Sequence, residues 1–198
     1  MALRGGRPGP LLVVHGLGDR AAAWRRFAAA MPAGRDIVTF DLPGHGESPP
    51  ANDSRYPALV EAVGRAAAGY DRFALLGHSV GGALAWLYAA SHPERVTRLV
   101  LVEPAPHRSR FLAGPTPPAS SLRLRRRREG DWPALLGGVG RIRAPTLVVR
   151  AGGGMIGAGQ LEEVAAAIPG ARLLTLDGWG TSSTGSVPTS WRGRSASS

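Results

Sequence analysis

Apolar residues fall into six short runs: 11–14 (LLVV), 37–40 (IVTF), 73–76 (FALL), 98–102 (RLVLV), 146–149 (TLVV) and a weaker 172–176 (RLLTL). Each is rich in Val, Ile or Leu and bounded by Gly, Pro or Asp, the pattern of a strand buried on both faces. Ala-rich stretches of helical length lie between most of them, at 20–31, 56–69, 80–91 and 160–168. Strand and helix in alternation predict an α/β fold, a mostly parallel sheet with helices on both faces. Ligand chemistry in such a sheet belongs at the carboxyl ends of the strands.

Two segments break the rhythm. Residues 104–140 are rich in Pro, Gly and Arg with weak periodicity, and read as a short lid-like insertion over the sheet. Residues 181–198 hold ten Ser or Thr and no acidic residue, a composition expected to be disordered. The expected organisation is therefore a single domain over 1–180 and a polar tail.

At 198 residues the chain fits one domain with a real core. No apolar run approaches the ~18 residues of a membrane span, and MALRGGRPGP lacks the apolar stretch of a signal peptide. A cytoplasmic location without membrane partners is the expectation. There is no cysteine, which excludes disulfides, zinc–thiolate sites and a cysteine nucleophile. Net charge is +10, and all 24 basic residues are Arg, a bias that GC-rich coding produces by itself. The dense run Arg123, Arg125, Arg126, Arg127, Arg128 has no nucleic-acid signature beside it and reads as a solvated surface, so no nucleic-acid partner is expected. Neither a dinucleotide fingerprint nor a ligand-spaced His/Asp/Glu cluster occurs, and no metal or organic cofactor is expected.

The sharpest chemical signal is Gly77-His78-Ser79-Val80-Gly81-Gly82, between the FALL strand and the helical segment ALAWLYAA. A serine on a tight strand-to-helix turn is pushed up from the sheet, and its glycine neighbours let backbone pass close by. The helix amino terminus beneath it supplies partial positive charge for a developing anion. The serine is therefore a candidate nucleophile.

With this motif the chain resembles the α/β-hydrolase superfamily, and two further motifs agree. His15-Gly16-Leu17-Gly18 follows the first strand as the family's HG-x-G loop does, and Asp41-Leu42-Pro43-Gly44-His45-Gly46-Glu47-Ser48 is similar to the loop after its next strand. The resemblance implies Ser79 as nucleophile and the N–H groups of Leu17 and Val80 as oxyanion hole. It also implies a substrate pocket near His15, Gly16, Trp24 and His78. His45 and His78 are read as structural rather than as bases. The implied activity is hydrolysis of an ester or related acyl substrate, a small molecule. Serine at the elbow argues against the branches that place Asp there.

A serine hydroxyl needs a base, itself oriented by a carboxylate. The family's usual acid position follows TLVV, where this chain has Arg150-Ala151-Gly152-Gly153-Gly154-Met155 without a carboxylate. Glu103, at the end of the preceding strand, is the candidate acid. The family expects Gly-x-Gly-His after the last strand, but this chain reads Gly178-Trp179-Gly180-Thr181, so the base is missing at Thr181. His15, His45, His78, His92 and His107 all precede that strand. His107 could replace the base only if the 104–140 segment folds over Ser79. A catalytically inactive small-molecule-binding protein on the same fold is the alternative function, and an Arg-driven binder of acidic surfaces ranks third.

The tail suggests how the base was lost. One back-translation of 181–197 with G or C chosen at free third positions, after restoring one C behind the Gly180 codon, reads His-Val-Val-His-Arg-Glu-Arg-Pro-Asp-Glu-Leu-Ala-Gly-Pro-Val-Arg-Glu. The leading His does not depend on third-position choices, because any Thr codon begins A-C. Residues 181–198 thus read as a frameshifted remnant of a histidine and a final helix. Sequencing the coding DNA across Gly178 to Ser198 is expected to show an adjacent frame that opens into Gly-His and a helical terminus. A closed adjacent frame would make the Ser-rich tail genuine.

Overall fold

The computed structural model describes residues 9–50, 56–105, 138–154, 156 and 158–180. Most of the 104–140 insertion, including the arginine run and His107, lies outside the described residues, as do Thr181 and the rest of the tail.

Six strands form one sheet in the order β2-β1-β3-β4-β5-β6, every neighbouring pair parallel. They are β1 (Leu11–Val14), β2 (Ile37–Thr39), β3 (Phe73–His78), β4 (Val96–Val102), β5 (Thr146–Gly153) and β6 (Arg172–Gly180). All six strands expected from the apolar runs are present. The helices are α1 (Arg25–Ala30), led in by a 3-10 turn at Ala21–Trp24, α2 (Tyr56–Ala66), α3 (Val80–Ser91) and α4 (Ala158–Ala167).

Alternate residues along a strand point to opposite faces, and the core divides accordingly. On one face Leu12, Val14, Leu75, Leu99, Leu101 and Val148 pack against α2, α3 and α4. On the other, Leu11, Val13, Ala74 and Leu76 pack with Trp24, Phe27 and Met31 from the α1 region. Helices therefore cover both faces, as expected. Helix α3 is apolar all round because it is enclosed between the sheet and α2, with Leu84, Ala85 and Trp86 fully buried.

The topology also locates the site. From β1 the chain first steps outward to β2, then returns to the other side of β1 with β3 and continues to β6. The winding direction reverses between β1 and β3, and a crevice opens at their carboxyl ends where the following segments part to opposite sides. Those two ends carry the HGLG loop and Ser79.

One arginine fastens the opposite end of this half of the sheet. From the loop before β4, Arg95 donates to the Tyr88 hydroxyl at 2.8 Å and to the carbonyls of Ala67 at 3.0 Å and Tyr70 at 2.5 Å. Its guanidinium also lies 5.6 Å from the centre of the Phe73 ring. The fork ties down the chain where α2 ends, adding a donor to the Ala67 carbonyl beside the Tyr70 N–H that already bonds it, and its planar spread of donors is not matched by a lysine's compact ammonium. Arg95→Ala is expected to cost about 2–3 kcal/mol of unfolding free energy in urea denaturation, with little recovery in Arg95→Lys.

Candidate active site

Ser79 stands between β3 and α3 with φ 53° and ψ −121°, a conformation that costs a non-glycine residue about 1–3 kcal/mol. Two glycines make that turn possible by what they lack. A Cβ on Gly77 would run into the backbone of Gly81 and Gly82, and a Cβ on Gly81 would strike the carbonyls of Val14 and His15. The start of α3 therefore presses directly against the end of β1. The Ser79 N–H donates to the Val102 carbonyl at 3.0 Å, and the Ser79 carbonyl accepts from Ala105 at 3.0 Å, so β4 grips the elbow from the other side. The Ser79 side chain makes no capping bond to α3, although serine is a favoured cap. Its hydroxyl is left for other work.

The HGLG loop meets the elbow. A Cβ on Gly16 would lie 3.2 Å from Ser79 Cβ and 3.1 Å from His78 Nδ1, so the loop's backbone packs closely against the serine. Val80 is the first residue of α3, and its N–H has no carbonyl four residues back to serve within the helix.

His15 departs from its expected place in the substrate pocket. It is fully buried, its Nδ1 donates to the Gly16 carbonyl at 2.8 Å, and its Nε2 accepts from the Leu42 N–H at 3.0 Å. With both nitrogens taken by backbone, the ring ties the loop after β1 to the loop after β2 and is not a pocket wall. His45 packs beside it, ring centres 5.2 Å apart, with Nδ1 3.1 Å from the Pro43 carbonyl. Asp41 completes the brace by accepting from Ala21 at 2.6 Å and Glu47 at 3.0 Å. Its carboxyl is held low: burial opposes ionisation, but the two backbone donors and the neighbouring histidines outweigh it. This bracing role of Asp41 had no sequence signal beyond its place in the second loop.

Trp24 and His78 come together, ring centres 6.5 Å apart in an edge-on arrangement, and Trp24 also meets Phe27 edge-on at 5.4 Å. The Trp24 indole N–H is buried and finds no acceptor among the described residues. The His78 ring lies beside Gly16, with Trp24 edge-on to it.

Glu103 lies at the end of β4, 3% exposed, with φ 45°. Its N–H donates to the Val149 carbonyl at 2.9 Å, and its Oε1 accepts from the Ala151 N–H at 2.7 Å. Oε2 is buried and no N–H meets it at full hydrogen-bond geometry, although the Ile156 N–H faces the carboxyl. Burial pushes this carboxyl up, against the pull of the Ala151 and Ile156 N–H groups and of Arg150. Ser79 and Glu103 thus occupy the ends of adjacent strands. Among the described residues, no group of three or more His, Asp or Glu side chains could hold a metal ion.

Burial pushes the imidazoles of His15 and His78 below their ordinary 6.5. Both stay neutral in the fold while the unfolded chain takes up protons, so their stabilisation is complete above about 6.5 and declines as pH falls through the folded values. Glu103 acts in reverse: its contribution is present below the ordinary 4.5 and is lost as pH rises through its folded value. Urea midpoints measured from pH 4 to pH 8 are expected to fall less steeply on acidification in His15→Gln than in the parent. In Glu103→Gln the fall on acidification is expected to be steeper.

Known proteins resemble this chain in sequence and in fold. A sequence profile of the alpha/beta hydrolase fold matches residues 9–139. A "Probable serine hydrolase" of Drosophila melanogaster is 34% identical over 119 residues, covering 54% of this chain and 32% of that protein. A (lyso)-N-acylphosphatidylethanolamine lipase of Mus musculus is 38% identical over 103 residues, covering 48% of this chain and 30% of the lipase. The matched stretches thus span about a third of the length of these relatives. The crystal structure of the enol-lactonase from Burkholderia xenovorans superposes with a TM-score of 0.71 at 21% identity, over 88% of this chain and 85% of the lactonase. With its sheet order, elbow and matched profile together, the chain belongs to the α/β-hydrolase fold family.

Proposed function

We propose that this protein is a serine hydrolase of ester or related acyl bonds, with Ser79 as nucleophile, and that Thr181 in place of a histidine impairs it. The observation that carries the reading is the elbow. Ser79 is held at φ 53° with its hydroxyl unused for capping and the Gly16 loop against its Cβ. A strained serine at the switch point of a parallel sheet is a poor structural choice and a good chemical one.

In this reading the Ser79 Oγ attacks the acyl carbon, and the carbonyl oxygen becomes an oxyanion facing the N–H groups of Leu17 and Val80. Each such donor typically lowers the barrier by about 3–4 kcal/mol. Attack requires a base to take the Oγ proton and return it to the leaving alcohol, with a carboxylate holding that base in its tautomer. Glu103 is the carboxylate, and the base belongs immediately after β6, at position 181. A threonine hydroxyl cannot accept a proton near neutral pH, and loss of the base from such a triad typically lowers turnover by about 10⁶. A frameshift over 181–198 would account for the missing base. Trp24 and His78, which meet edge-on, line the pocket in this reading.

Thr181 favours one other reading, a binding protein that keeps the pocket and has given up turnover. Hydrolysis of p-nitrophenyl acetate separates the two. The chain as it stands is expected to turn over slowly and to lose that turnover in Ser79→Ala. Restoring the single base after the Gly180 codon is expected to raise Ser79-dependent kcat/KM by about 10³-fold or more. A repaired chain without Ser79-dependent turnover at any pH from 5 to 9 would leave the binding protein as the better reading.

A further inference from the structure

The end of the sheet opposite Ser79 carries a groove that the proposed reaction does not use. It has a volume of about 440 Å³ and lies at the entrances to β3, β4 and β5. Arg72, Glu94, Thr97 and Arg143 line it, with Val96 and Pro145 in its apolar part. The length of β3 separates it from Ser79, roughly 20 Å at about 3.3 Å per residue. A molecule held here is out of reach of the serine hydroxyl.

Two independent features mark the groove. The first is a break in the regularity of the sheet. Phe73 pairs with Val96, but Ala74 pairs with Arg98, so Thr97 has no partner on β3. Pairing of β4 with β5 begins only at Leu99. Thr97 is thus the extra residue of a bulge, which is rare between parallel strands and re-aims a side chain. Its hydroxyl makes no hydrogen bond among the described residues.

The second feature is a pair of guanidiniums flanking that hydroxyl. Strands β3 and β5 are the two neighbours of β4. Arg72, immediately before β3, and Arg143, three residues before β5, therefore stand on either side of Thr97. Two strand spacings amount to about 10 Å, a gap that two long side chains close from both sides. Neither guanidinium has an ion pair or hydrogen bond among the described residues, whereas the nearby Arg95 spends its donors on Tyr88, Ala67 and Tyr70. The backbone around them is fixed. The Phe73 N–H donates to the Arg95 carbonyl and the Leu99 N–H to the Pro145 carbonyl, each at 3.0 Å. The three strand entrances are thereby tied to one another, and the groove is formed before any ligand arrives.

We infer that this groove binds a phosphate monoester. Arg72 and Arg143 take phosphate oxygens, the Thr97 hydroxyl donates between them, and Glu94 accepts from a hydroxyl or ammonium group elsewhere on the ester. A tetrahedral phosphate offers oxygens in three directions, which suits two guanidiniums and a hydroxyl arriving from separate sides. A planar carboxylate is satisfied by one bidentate arginine. Glu94 sets the rest of the preference, because its carboxylate repels a bare anion and favours a ligand that brings its own donor. A soluble ester and a lipid headgroup share this chemistry. The inference does not rest on the serine-hydrolase reading.

Titration calorimetry on the full chain at low salt tests it, with O-phosphoethanolamine, glycerol 3-phosphate and inorganic phosphate as probes. The two esters are expected to bind saturably with Kd on the order of 0.1–1 mM, and inorganic phosphate at least about 10-fold more weakly. Arg72→Gln/Arg143→Gln and Thr97→Val are each expected to weaken ester binding by about 10-fold or more. Arg26→Gln on α1, a control for general charge, is expected to weaken it by less than about 2-fold. Glu94→Gln is expected to bring inorganic phosphate level with the esters. Arg72 and Arg143 are exposed, so the double variant is expected to keep the parent Tm, and its loss of binding reads as loss of the site. No saturable ester binding below about 10 mM, or equal losses in Arg26→Gln and the double variant, would overturn the site. Inorganic phosphate binding as tightly as the esters in the parent would overturn the role of Glu94. Flotation with vesicles containing phosphatidylinositol 4-phosphate decides the source. Capture that the double variant loses assigns a lipid headgroup; capture that is absent, or that the double variant keeps, beside intact ester binding assigns a soluble ester.

Discussion

The architecture depends on how closely the first turn of α3 approaches the end of β1. At Gly81 helix backbone lies against the carbonyls of Val14 and His15, with no room for a single added carbon. This contact fixes the height of Ser79 above the sheet and brings the Gly16 loop to its Cβ. Around it, His15 ties the first loop to Leu42 of the second, and Asp41 ties the second to Ala21 at the entrance of the 3-10 turn. Remove the close approach and the remaining bonds would hold loops that no longer meet at the serine.

Strain in the structure is concentrated where these loops converge. Among the described residues, Ser79 and Glu103 are the non-glycine residues with positive φ, and they end neighbouring strands. The Ser79 N–H bonds to Val102 and the Glu103 N–H to Val149, so each strained residue is gripped by the strand beside it. Parallel pairing extended one residue past each strand supplies the restraint. The enclosed core beneath, with Trp86, Leu84 and Leu101 fully buried, supplies the stability to absorb it. Two chemically capable side chains are thereby held at the switch point, while the position expected to supply the base carries a threonine.

Much of this was legible in the chain itself. Buried parallel strands leave continuous runs such as LLVV and FALL, which no solvent-facing strand would carry, so six elements and their class followed from hydrophobicity alone. The elbow was legible because glycine spacing around Ser79 records a steric demand. The misplaced residue was His15: an HG pair beside a nucleophile suggests contact with substrate, but the ring turns inward, and only the partner carbonyl and N–H reveal it as a tie. Asp41 was similarly hidden, since its donors at Ala21 and Glu47 come from segments on either side of it.

By itself the sequence determined the order of strands and helices, the serine at a strained turn, the absence of a histidine over 181–198 and the lack of a carboxylate over 150–155. These are local facts, set by periodicity, glycine placement and residue type. The tertiary structure alone decided the strand order that places β1 and β3 together, the inward turn of His15 and the packing of the Glu103 carboxylate where Gly154 has no side chain. Residues 103 and 154 are far apart in the chain, and nothing in either segment specifies the other. Their relation exists only because β4 and β5 lie side by side and a carboxylate must go where a side chain is missing.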